Sequence, residues 1–267
     1  MLGWSINLFR ICGIQLAVHA SFVLLLAYFG YEGWQSGGLV GALWSLLLIT
    51  LFFGCVVLHE LGHSLAAMRY GVQVPRIRLM PIGGMAEFDR IPRQPSAELV
   101  ITIAGPAVNF GIVALLLPVV WTDLWSTQPV AAHSVMALLI QLTVANGLMG
   151  VFNLLPVFPM DGGRILRALL ATRMNYLRAT YWAAMTAKVL APILALLAFF
   201  YYDSPLLGVL FIFIFVVGDA EYRQVLRREQ EAEHWAEWAR RIEVERLRDA
   251  GRDEPPPPPF IVHDSSR

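Results

Sequence analysis

Long apolar runs separated by short polar stretches fill the first 218 residues of this chain. A helix that crosses a bilayer needs about 20 mostly apolar residues, and residues 11–29, 39–58, 99–121 and 135–152 meet that need. The first run is interrupted only by Gln15 and His19, and residues 39–58 carry no charge. Pro106, Asn109 and Pro118 lie inside the third run and Asn146 inside the fourth. Such residues are tolerated in lipid where neighbouring helices satisfy the freed backbone groups. Two shorter runs, 189–202 and 206–218, fit either two more spans or a re-entrant hairpin; the first reaches back through Tyr181 if Lys188 snorkels. The apolar run after Arg10 is too long for a signal-peptide core and no small-residue cleavage site follows it, so it reads as an uncleaved first span.

The pattern changes between 69 and 93. Residues 72–79 alternate apolar and polar, the period of a half-buried strand. Gly83-Gly84 then offers a turn, and residues 85–88 return as a second strand. The expected fold is an all-α polytopic membrane protein of about six transmembrane helices with a small membrane-associated β-hairpin or sheet. Residues 1–220 form its core. A charged helix over 221–253 follows, with Val225, Ala232, Trp235, Ala239 and Ile242 near helical spacing, and it ends in a Pro-rich tail over 254–267.

Composition supports the membrane class. Apolar residues make up 57% of the chain and charged ones 15%, against about 45–50% and about 25% in soluble domains. A net charge of zero excludes a strongly basic nucleic-acid binder and an acidic disordered chain. Cys12 and Cys55 are too far apart for a CxxC pair and read as apolar fillers. The placement of the charges says more than their sum. The loops after the first, third and fifth runs hold Glu32, Asp123 and Asp203 and no basic residue, while all 20 basic residues lie on the other side. The positive-inside rule therefore puts both termini in the cytoplasm. The ratio of 19 arginines to one lysine suggests a GC-rich bacterium, hence its cell membrane.

At the inner end of the second span stands His59-Glu60-Leu61-Gly62-His63. Histidines at i and i+4 share one helix face, about 6 Å apart along the axis, where both imidazoles reach one zinc ion. Glu60 sits beside them as a base for metal-bound water. A capping His/Glu cluster is the plainer alternative, but three ionisable groups directly after 20 uncharged residues are more than a helix end needs. A catalytic zinc takes a third protein ligand and keeps one position open. Arg69 stands where a metzincin would have histidine. Glu87, 24 residues after His63, is one candidate. Asp161 is the better one, since it follows the fourth span on the cytoplasmic side, behind Pro156 and Pro159 and before Gly162-Gly163. An N-cap to a helix starting near Gly162 is the plainer role for it.

HELGH in a span, the Gly-Gly segment after it, Ala104-Gly105-Pro106 in the next span and the stretch from Asn153 to Arg164 together resemble the site-2 protease family of intramembrane zinc metalloproteases. Residues 5–22, with His19-Ala20-Ser21-Phe22, resemble its compact six-span members, and the likeness runs from about residue 5 to about 220. The resemblance implies one zinc ion per chain on His59, His63 and Asp161, with Glu60 as the catalytic base and Asn153 contacting the substrate or the oxyanion. It implies a transmembrane protein substrate, such as a membrane-anchored anti-sigma factor, and no nucleic acid. No stretch between HELGH and Asp161 is long enough for a PDZ domain, and the tail is too short and charged for paired CBS domains.

The competing class is a zinc-binding carrier or scaffold without proteolysis. A carrier wants polar residues along a path through the bilayer, whereas here they cluster in the cytoplasmic half. Among the remaining polar residues, His19 and His133 read as interfacial, and Asn109 and Asn146 as interhelical hydrogen-bonding residues.

Overall fold

The computed structural model describes residues 4–248 apart from 82, 90, 91, 93, 127–129, 132, 203 and 204; the Pro-rich tail lies outside the described residues. The chain opens on a hairpin, β1 (Ser5–Ile11) and β2 (Ile14–His19), followed by α1 (Ser21–Arg69). Next come β3 (Arg76–Met80), β4 (Gly83–Glu87), α2 (Pro95–Leu124) and α3 (Val135–Asn153). The last elements are α4 (Asp161–Ala171), α5 (Tyr176–Tyr202) and α6 (Pro205–Arg248).

The first expected span is thus part strand. Its apolar run hides a turn at Cys12-Gly13, where both residues have positive φ, 51° and 84°. Glycine adopts that region freely and lets the chain reverse. β2 pairs antiparallel with β1 and parallel with β3, giving a four-stranded sheet in the order β1-β2-β3-β4. β3 and β4 pair antiparallel as expected, but Met80 faces Gly83, so the two glycines begin β4 rather than make the turn. Ile14, Leu16, Ile77 and Leu79 bury one face of the sheet against Phe53, Val56, Val57 and Leu61 of α1.

α1 is bent into two arms at Gly37-Gly38, where the backbone leaves helical geometry. Arms 21–36 and 39–69 lie against each other: Phe22 and Phe53 stack edge to face with centroids 4.7 Å apart. Near the bend, a Cβ on Gly41 would strike the Gly33 carbonyl and one on Gly33 the Gly41 carbonyl. Only paired glycines allow that approach. α1, α2 and α3 are long and apolar enough to cross a membrane. Their outer surfaces are apolar, with Leu43, Leu47, Ile103, Leu115 and Leu148 exposed, while Thr102, Asn109, Thr143 and Asn146 are buried. This inverted pattern suits lipid as the surrounding solvent. α6 runs unbroken through residue 220, so the charged segment continues the same helix as far as Arg248. At the junction, Asp219 pairs with Lys188 of α5 and with Arg223, and these cations hold its carboxyl below the usual carboxylate range.

One buried ion pair locks α4 to α2. Arg167 Nε lies 2.8 Å from Glu98 Oε1, and both residues are almost wholly buried. The guanidinium also sits 5.2 Å from the Phe158 ring and 5.1 Å from that of Tyr176. Breaking a buried pair by removing one partner costs about 3–5 kcal/mol, because a charge is left without compensation. Chemical unfolding in detergent micelles should show that loss for Arg167→Met and recover most of it in Glu98→Gln/Arg167→Met. Equal stability of the single and double variants would remove the pair from this role.

Candidate metal centre

His59 and His63 stand one helical turn apart on the inner arm of α1 and are both buried. Their Nε2 atoms are 3.1 Å apart. Asp161 is the first residue of α4, and the cap before it, Met160, makes no side-chain cap bond. The aspartate is therefore not an N-cap. Its Oδ2 lies 3.3 Å from His59 Nε2 and 3.2 Å from His63 Nε2. The local sequence explains this placement. Pro156 and Pro159 sit in the irregular segment between α3 and α4, where proline disfavours continued helix. A Cβ on Gly162 would collide with the carbonyls of Leu154 and Leu155, so the glycine lets this segment fold tightly over the start of α4.

α2 orients the rings. His63 Nδ1 is 2.8 Å from Ile101 O, and a main-chain carbonyl only accepts, so Nδ1 carries the proton. In the neutral ring that a ligand requires, the lone pair is then on Nε2, the atom facing Asp161. His59 Nδ1 lies 2.5 Å from Asn109 Oδ1. The helices meet closely because Ala104-Gly105 faces HELGH. A Cβ on Gly105 would enter the His63 ring, and one on Gly62 would lie 2.6 Å from Ala104 O.

The donor set fits a single zinc ion. Nitrogen and oxygen ligands at about 2.0–2.1 Å in tetrahedral geometry stand about 3.3–3.4 Å from one another, close to the three separations observed. Asp161 Oδ2 is buried yet makes no hydrogen bond, as expected of an oxygen shaped for a cation. Burial opposes its charge and the Arg164 guanidinium favours it. As a zinc ligand it would be held in the ionised form. Among the described residues, His59, His63 and Asp161 are the group able to hold a metal ion. Three protein ligands leave a fourth position open. Glu60 lies half-buried beside this face, where a Cβ on Gly84 of β4 would come within 2.6 Å of its Cγ.

Other sequence candidates are engaged elsewhere. Glu87, the alternative third ligand, accepts from Arg78 Nη2 at 2.5 Å and is not in the metal-holding group. His19 Nδ1 is 2.7 Å from Ser21 Oγ at the start of α1. His133 stacks edge to face on Trp44. Asn153, at the end of α3, donates from Nδ2 to Met149 O at 3.0 Å. The contact between Asn109 and His59 was not expected. Its signal was the four-residue step from Gly105 to Asn109, which puts both on the α2 face turned to HELGH.

A model of Peptidase family M50 matches residues 47–126 and 118–197, more than half of the chain. The chain belongs to peptidase family M50. A zinc metalloprotease of Methanocaldococcus jannaschii is 43% identical over 197 residues, 73% of this chain and 54% of that protein. The putative zinc metalloprotease Rip3 of Mycobacterium tuberculosis is 33% identical over 199 residues, covering 71% and 50%. Stage IV sporulation protein FB of Bacillus subtilis is 28% identical over 191 residues, covering 70% and 62%. The chain thus spans about half the length of the curated relatives it matches. Among solved structures, the site-2 protease from Methanocaldococcus jannaschii aligns with a TM-score of 0.59 and 37% identity, over 82% of this chain and 95% of that one. This M50 chain has helices long and apolar enough to cross a membrane and a His-His-Asp group suited to the metal that names its zinc metalloprotease relatives.

Purified from membranes, the M50 chain should carry about one zinc per polypeptide. Chelator competition should show His63→Ala and Asp161→Asn weakening zinc binding by more than about 100-fold, beyond the 10–100-fold range of changes outside the ligand set. Glu87→Gln should keep wild-type affinity. Zinc released by Glu87→Gln and kept by Asp161→Asn would reverse the assignment.

Proposed function

We propose that the chain is an intramembrane zinc endopeptidase that hydrolyses peptide bonds in or near transmembrane segments of membrane-anchored proteins. One observation carries the reading: Glu60 adjoins His59 of the buried His-His-Asp group in sequence, and strand β4 packs so closely on it that a Cβ on Gly84 would lie 2.6 Å from its Cγ. His59, His63 and Asp161 would hold the ion. Bound there, zinc supplies a Lewis acid that lowers the pKa of water to about 7 and polarises the scissile carbonyl.

The chain's own residues do the rest. Glu60 accepts a proton from the attacking water, whose oxygen bonds to the carbonyl carbon. As the C–N bond breaks, Glu60 delivers that proton to the leaving amine. Asn153 donates a second amide hydrogen toward the carbonyl oxygen, where negative charge develops. A membrane helix conceals its peptide bonds in hydrogen bonds, so it must unwind before it is cut. β4 is the last strand of the sheet and lies against Glu60. Its outer edge can hold the unwound segment as an added strand.

Six crossings fit this reading: the two arms of α1, then α2, α3, α5 and the apolar start of α6. Both termini would face the cytoplasm of a bacterial cell, residues 1–220 forming the protease core and 221–253 a charged extension. A single-span regulator such as an anti-sigma factor is the substrate class expected.

Glu60→Gln separates a protease from a zinc-binding carrier or scaffold. The variant should keep its zinc and lose cleavage of a single-span substrate by at least about 100-fold, the range supplied by a general base. Full cleavage by this variant would exclude the mechanism. Alternate residues of an antiparallel strand face the partner and the open edge, so one of Met85→Pro and Ala86→Pro spares the β3–β4 ladder. That variant should cut about tenfold more slowly, the value of one lost hydrogen bond. Unchanged cleavage in both would remove the edge from the account.

A further inference from the structure

Two asparagines buried in the apolar bundle take no part in the steps above. Asn109 on α2 and Asn146 on α3 are both wholly buried. An amide in such surroundings costs several kcal/mol unless it is hydrogen-bonded, roughly 2–7 by transfer scales. Their bonds form a single line. Asn146 Nδ2 donates to Leu142 O at 2.8 Å, and Asn109 Nδ2 donates to Asn146 Oδ1 at 3.0 Å. Asn109 Oδ1 then faces His59 Nδ1 at 2.5 Å.

The line has a direction, and a backbone atom sets it. Leu142 O is a carbonyl and only accepts, so Asn146 must turn its Nδ2 to it and its Oδ1 toward α2. That oxygen only accepts, so Asn109 must offer Nδ2 there and turn Oδ1 to the histidine. Asn109 Oδ1 only accepts as well, so His59 Nδ1 carries the hydrogen. The lone pair of the neutral ring is then on Nε2, the atom facing Asp161 and His63.

We infer that Asn109 and Asn146 are positioning residues that fix the His59 tautomer from a backbone carbonyl on α3. The inference rests on the zinc site proposed above. His63 needs no such relay, because Ile101 O orients it directly. A pair serving only to hold α2 to α3 would have no need to end on a histidine nitrogen. Asn109 acts on the ring, and Asn146 acts only by orienting Asn109.

Two measurements on the full chain in detergent micelles test this. In metal-free wild type, 15N shifts of labelled histidine, with His59 assigned by its loss in His59→Gln, should show the Nδ1–H form. The Nε2–H form at His59 would overturn the inference. This readout needs no metal, so it stands apart from any failure of the zinc assignment. Zinc affinity, from chelator competition, and the visible spectrum of the cobalt-loaded protein supply the second. Asn109→Leu should weaken zinc about 10–100-fold and alter the cobalt spectrum, as loss of a support behind a ligand does. Asn109→Asp should stay within about threefold, since a carboxylate also accepts from Nδ1. Asn146→Leu should weaken zinc in the wild-type background but have no effect in Asn109→Asp, because a carboxylate has two equivalent oxygens and needs no orienting neighbour. Wild-type affinity and spectra in both leucine variants would overturn the inference. So would an equal Asn146→Leu effect in the two backgrounds, which is the mark of helix contact alone.

Discussion

Two imidazoles and a carboxylate turned toward one another inside an apolar bundle impose the terms on everything around them. Their donor atoms lie within 3.3 Å, with His59, His63 and Asp161 all buried. A buried carboxylate is costly unless a cation faces it, and Asp161 Oδ2 lies 3.2–3.3 Å from the two imidazoles without a hydrogen bond. The arrangement is intelligible as a cation site and costly as anything else. Holding it requires α1 and α4 to be fixed relative to each other, although more than 90 residues of chain separate their donors.

α2 meets that requirement. Glu98 pairs with Arg167 of α4, Ile101 O orients His63, Gly105 makes room for its ring, and Asn109 faces His59. These residues recur at three- or four-residue steps, so one stripe of one helix supports the whole centre. Apart from Ile101, which acts through its main-chain carbonyl, the stripe is polar or small, while the opposite face of α2 exposes Val100, Ile103, Phe110 and Leu115. The same helix thus satisfies lipid on one side and the metal group on the other. The sheet completes the picture from the α1 side by bringing β4 against Glu60.

Much of this was legible in the sequence because the signals are local. HELGH places two ring nitrogens on one helix face by spacing alone, and the break at Pro156 and Pro159 before Gly162-Gly163 marks where Asp161 returns. The small residues of Ala104-Gly105 indicate close helix contact. Other features were hidden for physical reasons. Residues 14–19 do alternate, with Ile14, Leu16 and Val18 on one face and Gln15 and His19 on the other, but six residues at the start of a long apolar run are too few to set its period apart from helix; Gly13 marks the turn. Gly83-Gly84 looks like a turn, but its value is close approach to α1 rather than reversal. A lone asparagine in a span shows that it needs a partner, not which one. That Asn109 meets His59 depends on how α1 and α2 cross, and that Asn146 orients it depends on α3. Such a relay spans three helices and leaves no short pattern in the chain.

In the proposed centre one zinc ion joins His59, His63 and Asp161 and keeps a position open for water. X-ray absorption at the zinc edge of the purified protein tests it directly. Four light ligands at about 2.0–2.2 Å are expected, with the outer-shell signature of two imidazoles and no sulfur. A sulfur shell near 2.3 Å, or six oxygen ligands without imidazole, would contradict it.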